Sequence, residues 1–301
     1  MQHSAPSNYF RYGFLLCLLC GLTACTAIPV VDVPSANYNS RIQSLVFHFT
    51  SLPFDESLHV LTEPTDIPVS VHYLVPEPGD PTYPHRDLKV YRLVPEHLRA
   101  WHAGVSHWRG KEGLNDISIG IEIVNQSRCV SSDPSADIQT VAMQVCNFLD
   151  YSPEQMDLVI RLTKEILARH PDIQPVNVVA HSDIAPTRRL DPGPLFPWKR
   201  FYDEGIGAWY DEATLESYRQ GFAESPPSLS QVLQALRAYG YPLDEDANDV
   251  DIQFVVRAFQ VHFRPELFDG VIDEETVAIL FALLEKYDPE SVEFILNEKA
   301  I

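Results

Sequence analysis

Ser118-Ile119-Gly120-Ile121-Glu122-Ile123-Val124 sets a single carboxylate inside a run of apolar and small residues. Alternation along an extended chain sends successive side chains to opposite faces of a sheet, and here both faces are apolar apart from Glu122. Such a strand belongs in the interior of a sheet. Outward from it, Ser44-Leu45-Val46-Phe47-His48-Phe49 and Val69-Ser70-Val71-His72-Tyr73-Leu74-Val75 read as further buried strands. Leu88-Lys89-Val90-Tyr91-Arg92-Leu93-Val94 and Asn177-Val178-Val179-Ala180-His181 add two more. One helix is well marked between them. Ser152 is its N-cap, Pro153 takes the first helical position, and Gln155 completes a capping box. Met156, Val159, Ile160, Thr163 and Leu167 share one face, and His170-Pro171 ends it. Strands interleaved with helices predict an α/β domain, a central mixed sheet flanked by helices, over residues 37–222.

Phe222-Ala223-Glu224-Ser225-Pro226-Pro227-Ser228 then punctuates the chain as a linker. Beyond it, Leu229, Val232, Leu233 and Leu236 form one apolar stripe. Phe254, Val255, Ala258, Phe259 and His262 form a second, and Val277, Leu280, Phe281 and Leu284 a third. Residues 229–290 are therefore expected to make a small three-helix domain that leans on the larger one for stability.

At the other end, the apolar run from Tyr12 to Ala24 follows Arg11 and is short for a bilayer span, which favours a cleaved signal over residues 1–24. Leu22-Thr23-Ala24-Cys25 resembles the bacterial lipobox, whose Cys is lipidated and becomes the mature N-terminus. That likeness implies a lipid anchor on Cys25, a tether over residues 25–36 and, because Thr26 rather than Asp follows, an outer-membrane lipoprotein facing the periplasm. More than one acyl chain would make the anchor stable. Cys17 and Cys20 would leave with the signal, so Cys129 and Cys146 remain. In an oxidising periplasm they could close a local disulfide, with two buried free thiols as the alternative.

Composition sets broad limits. A hydrophobic fraction of 45% is that of a folded globular chain. The formal net charge of -20 argues against nucleic acid, since phosphate binding relies on Lys and Arg displacing counterions.

Three polar residues suggest a metal. His48 and His181 each end an apolar strand, and Asp191 follows in a loop stiffened by Pro192-Gly193-Pro194. Two imidazoles and a carboxylate make a three-ligand set for Zn2+ that leaves the fourth tetrahedral position to water. Spacing alone is weak support in a chain with 11 histidines. Glu122 admits two readings. It is either half of a structural ion pair, with Arg92 or Arg99 as partner, or a general base whose pKa is raised by apolar surroundings.

Val46-Phe47-His48, Val69-Ser70-Val71-His72-Tyr73, Ala100-Trp101-His102-Ala103-Gly104, Asn115-to-Glu122, His181-Ser182-Asp183-Ile184-Ala185-Pro186 and Asp191-Pro192-Gly193-Pro194 together resemble the successive motifs of the type-2 N-acetylmuramoyl-L-alanine amidases. That family shares its fold with phage lysozyme-type amidases and animal peptidoglycan recognition proteins. Within it the likeness is to the lipoprotein amidase type of the enterobacterial outer membrane. Arg257-to-Arg264 and Phe268-Asp269-Gly270 are similar to the three-helix peptidoglycan-binding module of that type.

The resemblance implies that His48, His181 and Asp191 bind one catalytic Zn2+ and that Glu122 activates the attacking water. It implies a catalytic Arg189 in place of a lysine that steadies the oxyanion; a planar fork replaces a compact ammonium there. Val71 stands where some relatives carry a catalytic Tyr. Trp101, His102 and Asn115 are implied groove residues contacting peptidoglycan or muropeptides, and the protein is expected to act as a monomer. Two other readings share the pattern: a recognition protein that binds peptidoglycan without cutting it, and a zinc peptidase acting within the stem peptide. The first typically lacks a ligand, and none is missing here.

Overall fold

The computed structural model describes residue 28 and residues 30–131 and 144–297. Elements follow in the order β1 (Ser44–Phe49), α1 (Phe54–Thr62), β2 (Tyr73–Val75), β3 (Tyr91–Arg92), β4 (His107–Trp108), β5 (Lys111–Glu112), β6 (Ser118–Ile123), β7 (Arg128–Ser131) and β8 (Gln144–Asn147). Then come α2 (Pro153–Arg169), β9 (Val178–Ala180), α3 (His181–Ile184), α4 (Trp198–Asp203), α5 (Glu212–Glu224), α6 (Leu229–Tyr239), α7 (Asp249–Phe263), α8 (Glu274–Tyr287) and α9 (Pro289–Asn297). Residues 30–39 are exposed and without regular structure, and belong to a unit apart from the compact one that begins at Ser40. None of the helices among the described residues is long and apolar enough to cross a membrane.

The main sheet runs β3-β2-β6-β1-β9. β2, β6, β1 and β9 are parallel and only β3 runs against its neighbour, so the sheet is mixed as expected. The Glu122 strand takes the central place. One register pair matters most: His48 on β1 stands beside Glu122 on β6. Residues paired across parallel strands point to the same face, so imidazole and carboxylate emerge together near the carboxyl ends of their strands. Phe47, on the opposite face, packs at 4.9 Å on Phe196 and 5.4 Å on Phe201, sealing the sheet with aromatic rings.

Several expected elements are modified. The strands read over residues 69–75 and 88–94 shrink to Tyr73–Val75 and Tyr91–Arg92; in the first, the Ser70 amide donates instead to the Trp101 carbonyl. Ser152 caps α2 by accepting from the Gln155 amide at 3.1 Å, but the Gln155 side chain does not reciprocate. Its Nε2 donates to the Pro76 and Val124 carbonyls, at 3.0 and 2.7 Å, which lie just beyond two strands. His181 is the first residue of α3 rather than the end of β9. Cys129 and Cys146 face each other in the β7–β8 ladder and are joined, with S–S 2.03 Å.

The three expected C-terminal helices are α6, α7 and α8, and a fourth, α9, follows. α6 opens on a reciprocal cap between Ser228 and Gln231. These helices share one continuous apolar core with the sheet, running from Ile42 through Phe201 and Phe259 to Ile295.

Candidate metal centre and active-site pocket

His48, His181 and Asp191 converge. His48 Nδ1 lies 3.1 Å from Asp191 Oδ2, His181 Nδ1 lies 3.0 Å from the same oxygen, and the two Nδ1 atoms are 3.0 Å apart. All three residues are buried. β1 carries His48. Ala180 of β9 is in register with Phe47, so the next residue, His181, arrives beside His48. Asp191 is delivered by the loop after α3, its own carbonyl accepting from the Ser182 amide at 3.0 Å.

Hydrogen bonds behind the rings decide which atoms face inward. The Leu114 carbonyl can only accept, so Ser118 Oγ donates to it at 2.6 Å. Ser118 Oγ then accepts from His102 Nε2 at 3.1 Å, which leaves His102 Nδ1 to accept from His48 Nε2 at 2.9 Å. His48 therefore presents a lone pair at Nδ1. His181 Nε2 donates to the Ala103 carbonyl at 3.2 Å and turns its own Nδ1 inward. Two imidazole lone pairs and a carboxylate oxygen pointing at one another repel unless a cation sits between them. A tetrahedral ion with bonds of about 2.0–2.1 Å would set its ligand atoms roughly 3.3 Å apart, close to what is found. The residues fit zinc.

The electrostatics agree. Burial, with His181 beside it, pushes His48 down to about 4, so the ring is neutral over the physiological range. His102 is held well below the usual imidazole value by burial and by the neighbouring rings. Burial alone would raise Asp191, but positive charge and hydrogen bonds from the His181 and His48 side hold its carboxyl far below the usual range; with both Nδ1 atoms unprotonated, a cation has to supply that charge. Glu122 goes the other way: desolvation first, then the Asp191 charge, lift it to about 8, with Arg189 opposing.

A pocket of about 210 Å³ opens over these groups. Its chemical floor is His48, Glu122, His181 and Asp191, Arg189 and Trp101 stand on its wall, and Leu52, Val60, Leu61 and Val69 make it apolar. A larger hollow of about 1220 Å³ lies against α2 and β3, lined by Arg41, Arg92, Arg161 and Arg169, and contains none of the ligand set. Chemistry, not volume, selects the smaller one.

The ion-pair reading of Glu122 has no partner in either expected arginine. Arg99 bonds Asp116, and Arg92 lines the other hollow. Of the three expected groove residues, Trp101 is 48% exposed on the pocket. His102 also lines the pocket, but both its ring nitrogens, like Asn115 Oδ1, are engaged within the protein. His102 backs His48, and Asn115 Oδ1 accepts from the His102 and Ala103 amides at 3.0 and 2.8 Å. Arg188, which carried no expectation, donates to the Ala103 carbonyl at 3.3 Å and holds the segment that His181 leans on. Sequence reasoning also missed Ser118 and the role of Gly120. A Cβ on Gly120 would lie 2.6 Å from His102 Cγ, so the ring can sit over β6 only because no side chain is there. His72 is buried beneath, accepting the Gly120 amide at 3.0 Å, and takes no part in the ligand set.

The chain is similar to known proteins in sequence and in fold. Residues 38–194 match the family described as N-acetylmuramoyl-L-alanine amidase. The chain is 45% identical over 248 residues to the N-acetylmuramoyl-L-alanine amidase AmiD of Escherichia coli, across 82% of this chain and 84% of that protein. Among solved structures it is similar to AmpDh3 of Pseudomonas aeruginosa in complex with anhydromuramic pentapeptide, with 45% identity and a TM-score of 0.79 over 86% of this chain and 99% of that one. It is also similar to Escherichia coli AmiD in complex with anhydro-N-acetylmuramic acid-L-Ala-D-gamma-Glu-L-Lys, with 43% identity and a TM-score of 0.72 over 85% and 93% of the two chains.

Proposed function

The chain belongs to the N-acetylmuramoyl-L-alanine amidase family, and from that premise we propose that it is a zinc hydrolase releasing stem peptides from N-acetylmuramic acid in cell-wall turnover or recycling. The bond cut is the amide between the lactyl group and L-alanine. The observation that carries this reading is the convergence of three electron-pair donors beside Glu122, a half-buried carboxyl group that a bound dication would favour in its ionised, proton-accepting form.

His48, His181 and Asp191 would hold the ion, which when bound polarises the scissile carbonyl and makes water nucleophilic near neutral pH. His102 and Ser118 keep His48 in the ligating tautomer. Glu122, on the same face of the sheet as His48, takes the proton of the attacking water and returns it to the departing amine of L-alanine. Arg189, on the pocket wall, supplies positive charge to the tetrahedral oxyanion. Trp101 offers a half-exposed indole face for a sugar or peptide.

Muropeptides are the ligand class supported by the relatives, two of which were solved with anhydromuramyl peptides. The lipid anchor on Cys25 and the outer-membrane, periplasm-facing location rest on the leader sequence; Cys25 lies outside the described residues. The division into a catalytic domain over residues 37–222 and a peptidoglycan-binding-like unit over 229–290, acting as a monomer, is part of the same proposal. The test is mass spectrometry of purified muropeptides incubated with the mature protein. Free peptides beginning at L-alanine, lost with chelator and restored by zinc, support the reading. Intact muropeptides with zinc bound would leave a recognition protein, and cuts within the stem a peptidase.

A further inference from the structure

Asp183 is fully buried two residues after His181, yet it is not one of the ligand set. Its carboxylate accepts three hydrogen bonds. One comes from the Ala180 amide, 2.8 Å from Oδ2, and closes the turn that α3 forms. The other two come from the C-terminal region: Tyr241 OH, in the connection between α6 and α7, lies 2.7 Å from Oδ1, and His262 Nδ1, on α7, lies 2.7 Å from Oδ2. Burying a carboxylate is expensive unless donors surround it, and helices pack on a sheet well enough through apolar side chains alone. Here the polar contact is made at the turn that carries one ligand through His181 and backs another, since the Ser182 amide holds the Asp191 carbonyl at 3.0 Å.

Both donors are themselves fixed. The His262 ring is stacked between Trp198, with centroids 3.7 Å apart, and Phe263, at 3.9 Å. Tyr241 lies edge-on to Trp108 at 5.0 Å, and the preceding residues are gripped by Arg109, whose amide donates to the Gly240 carbonyl at 2.9 Å and whose guanidinium donates to the Tyr239 carbonyl at 2.7 Å.

We propose that the C-terminal helices are part of the metal centre's scaffold, with Tyr241 and His262 as positioning residues that hold Asp183 and, through it, the turn bearing His181 and backing Asp191. The proposal rests on the reading of His181 and Asp191 as metal ligands. It gives the helices a role in the reaction apart from any contact with the wall.

The experiment uses the full mature chain with Tyr241→Phe, His262→Leu and His262→Asn, the last keeping a donor at the Nδ1 position. Amide hydrogen exchange over residues 180–185 is measured in metal-free protein, zinc affinity by chelator competition, and ligand geometry by the visible spectrum of the cobalt-substituted protein. Expected are faster exchange confined to residues 180–185, a loss of about 10- to 100-fold in zinc affinity for His262→Leu, and a changed cobalt spectrum. A smaller loss is expected for Tyr241→Phe, near-complete rescue by His262→Asn, and a fall in kcat at unchanged KM. Unaltered exchange, affinity and spectrum in folded His262→Leu and Tyr241→Phe would overturn the proposal. If His262→Leu does not fold, Tyr241→Phe decides by the same readouts. Wild-type protein that takes up no zinc would refute the ligand reading, and the exchange result, which needs no metal, would then decide on the scaffold alone.

Discussion

Replacing Glu122 by Gln should slow the enzyme and stabilise the metal-free protein, two effects of opposite sign from one atom. Burial raises the Glu122 pKa from 4.5 to about 8, so the fold favours the neutral acid. Below pH 4.5 the side chain is neutral in both folded and unfolded chains and contributes no penalty. Between pH 4.5 and about 8 the unfolded chain ionises while the folded one does not, and stability is progressively lost as pH rises. Each unit is about 1.4 kcal/mol, so the full displacement corresponds to something on the order of 5 kcal/mol. Glu122 keeps part of its surface open to the pocket, and water there reduces the figure to about 2–3 kcal/mol. A glutamine side chain at this position would not titrate. With chelator present, the melting temperatures of the two proteins should nearly coincide around pH 4.5, and at about pH 8.5 the variant should melt roughly 5–8 °C higher. Bound zinc should shrink the gap, because a neighbouring dication favours the carboxylate. In muropeptide hydrolysis the variant should lose about 10²–10⁴-fold in kcat with zinc still bound. A melting difference that does not change with pH would refute the buried-carboxylate argument, and full activity would remove Glu122 from the chemistry.

Gly120→Ala would drive a methyl group into the His102 ring, so zinc affinity should fall by about tenfold or more in a chelator competition, with about 1–3 kcal/mol of stability lost in urea unfolding. Arg189→Ala should lower kcat by about 10²-fold with little change in KM, and Arg189→Lys should keep most of the rate; steady-state kinetics would show otherwise if the side chain only lines the wall. Cys129→Ser with Cys146→Ser opens a bond spanning a sequence separation of 17, which is expected to lower the unfolding free energy by about 3 kcal/mol in a denaturant titration while leaving zinc uptake unchanged.

Much of the architecture is legible because it is written in local pattern. The strand around Glu122 and the stripe of α2 follow from periodicity, and both appear where expected. Register is different: nothing in either segment says that His48 will stand beside Glu122, since that pairing depends on how two distant strands slide against each other. Gln155 shows a local rule losing to tertiary demand. As a capping partner it would satisfy one exposed amide, but in place it satisfies two buried carbonyls at the ends of strands. Polar residues near a site suggest ligand contact, but sequence does not reveal that both ring nitrogens of His102 and the Oδ1 of Asn115 are engaged inside the protein. Asp183 stands within a recognisable motif, yet its partners Tyr241 and His262 lie 58 and 79 residues away, and only the folded chain brings them together.

The unbroken apolar core between sheet and C-terminal helices bears on how this protein can be dissected. Helical segments after a proline-rich linker invite treatment as a detachable cassette, to be deleted or grafted elsewhere. Here deletion would strip the faces of Phe201 and Trp209 and strand Asp183 without its two distant donors. A truncated protein that lost activity would be reporting a broken fold, whatever the helices do for the wall. Separating the two calls for substitutions on outward-facing positions of the last helix, such as Phe294, which is 67% exposed and can be changed without disturbing the core.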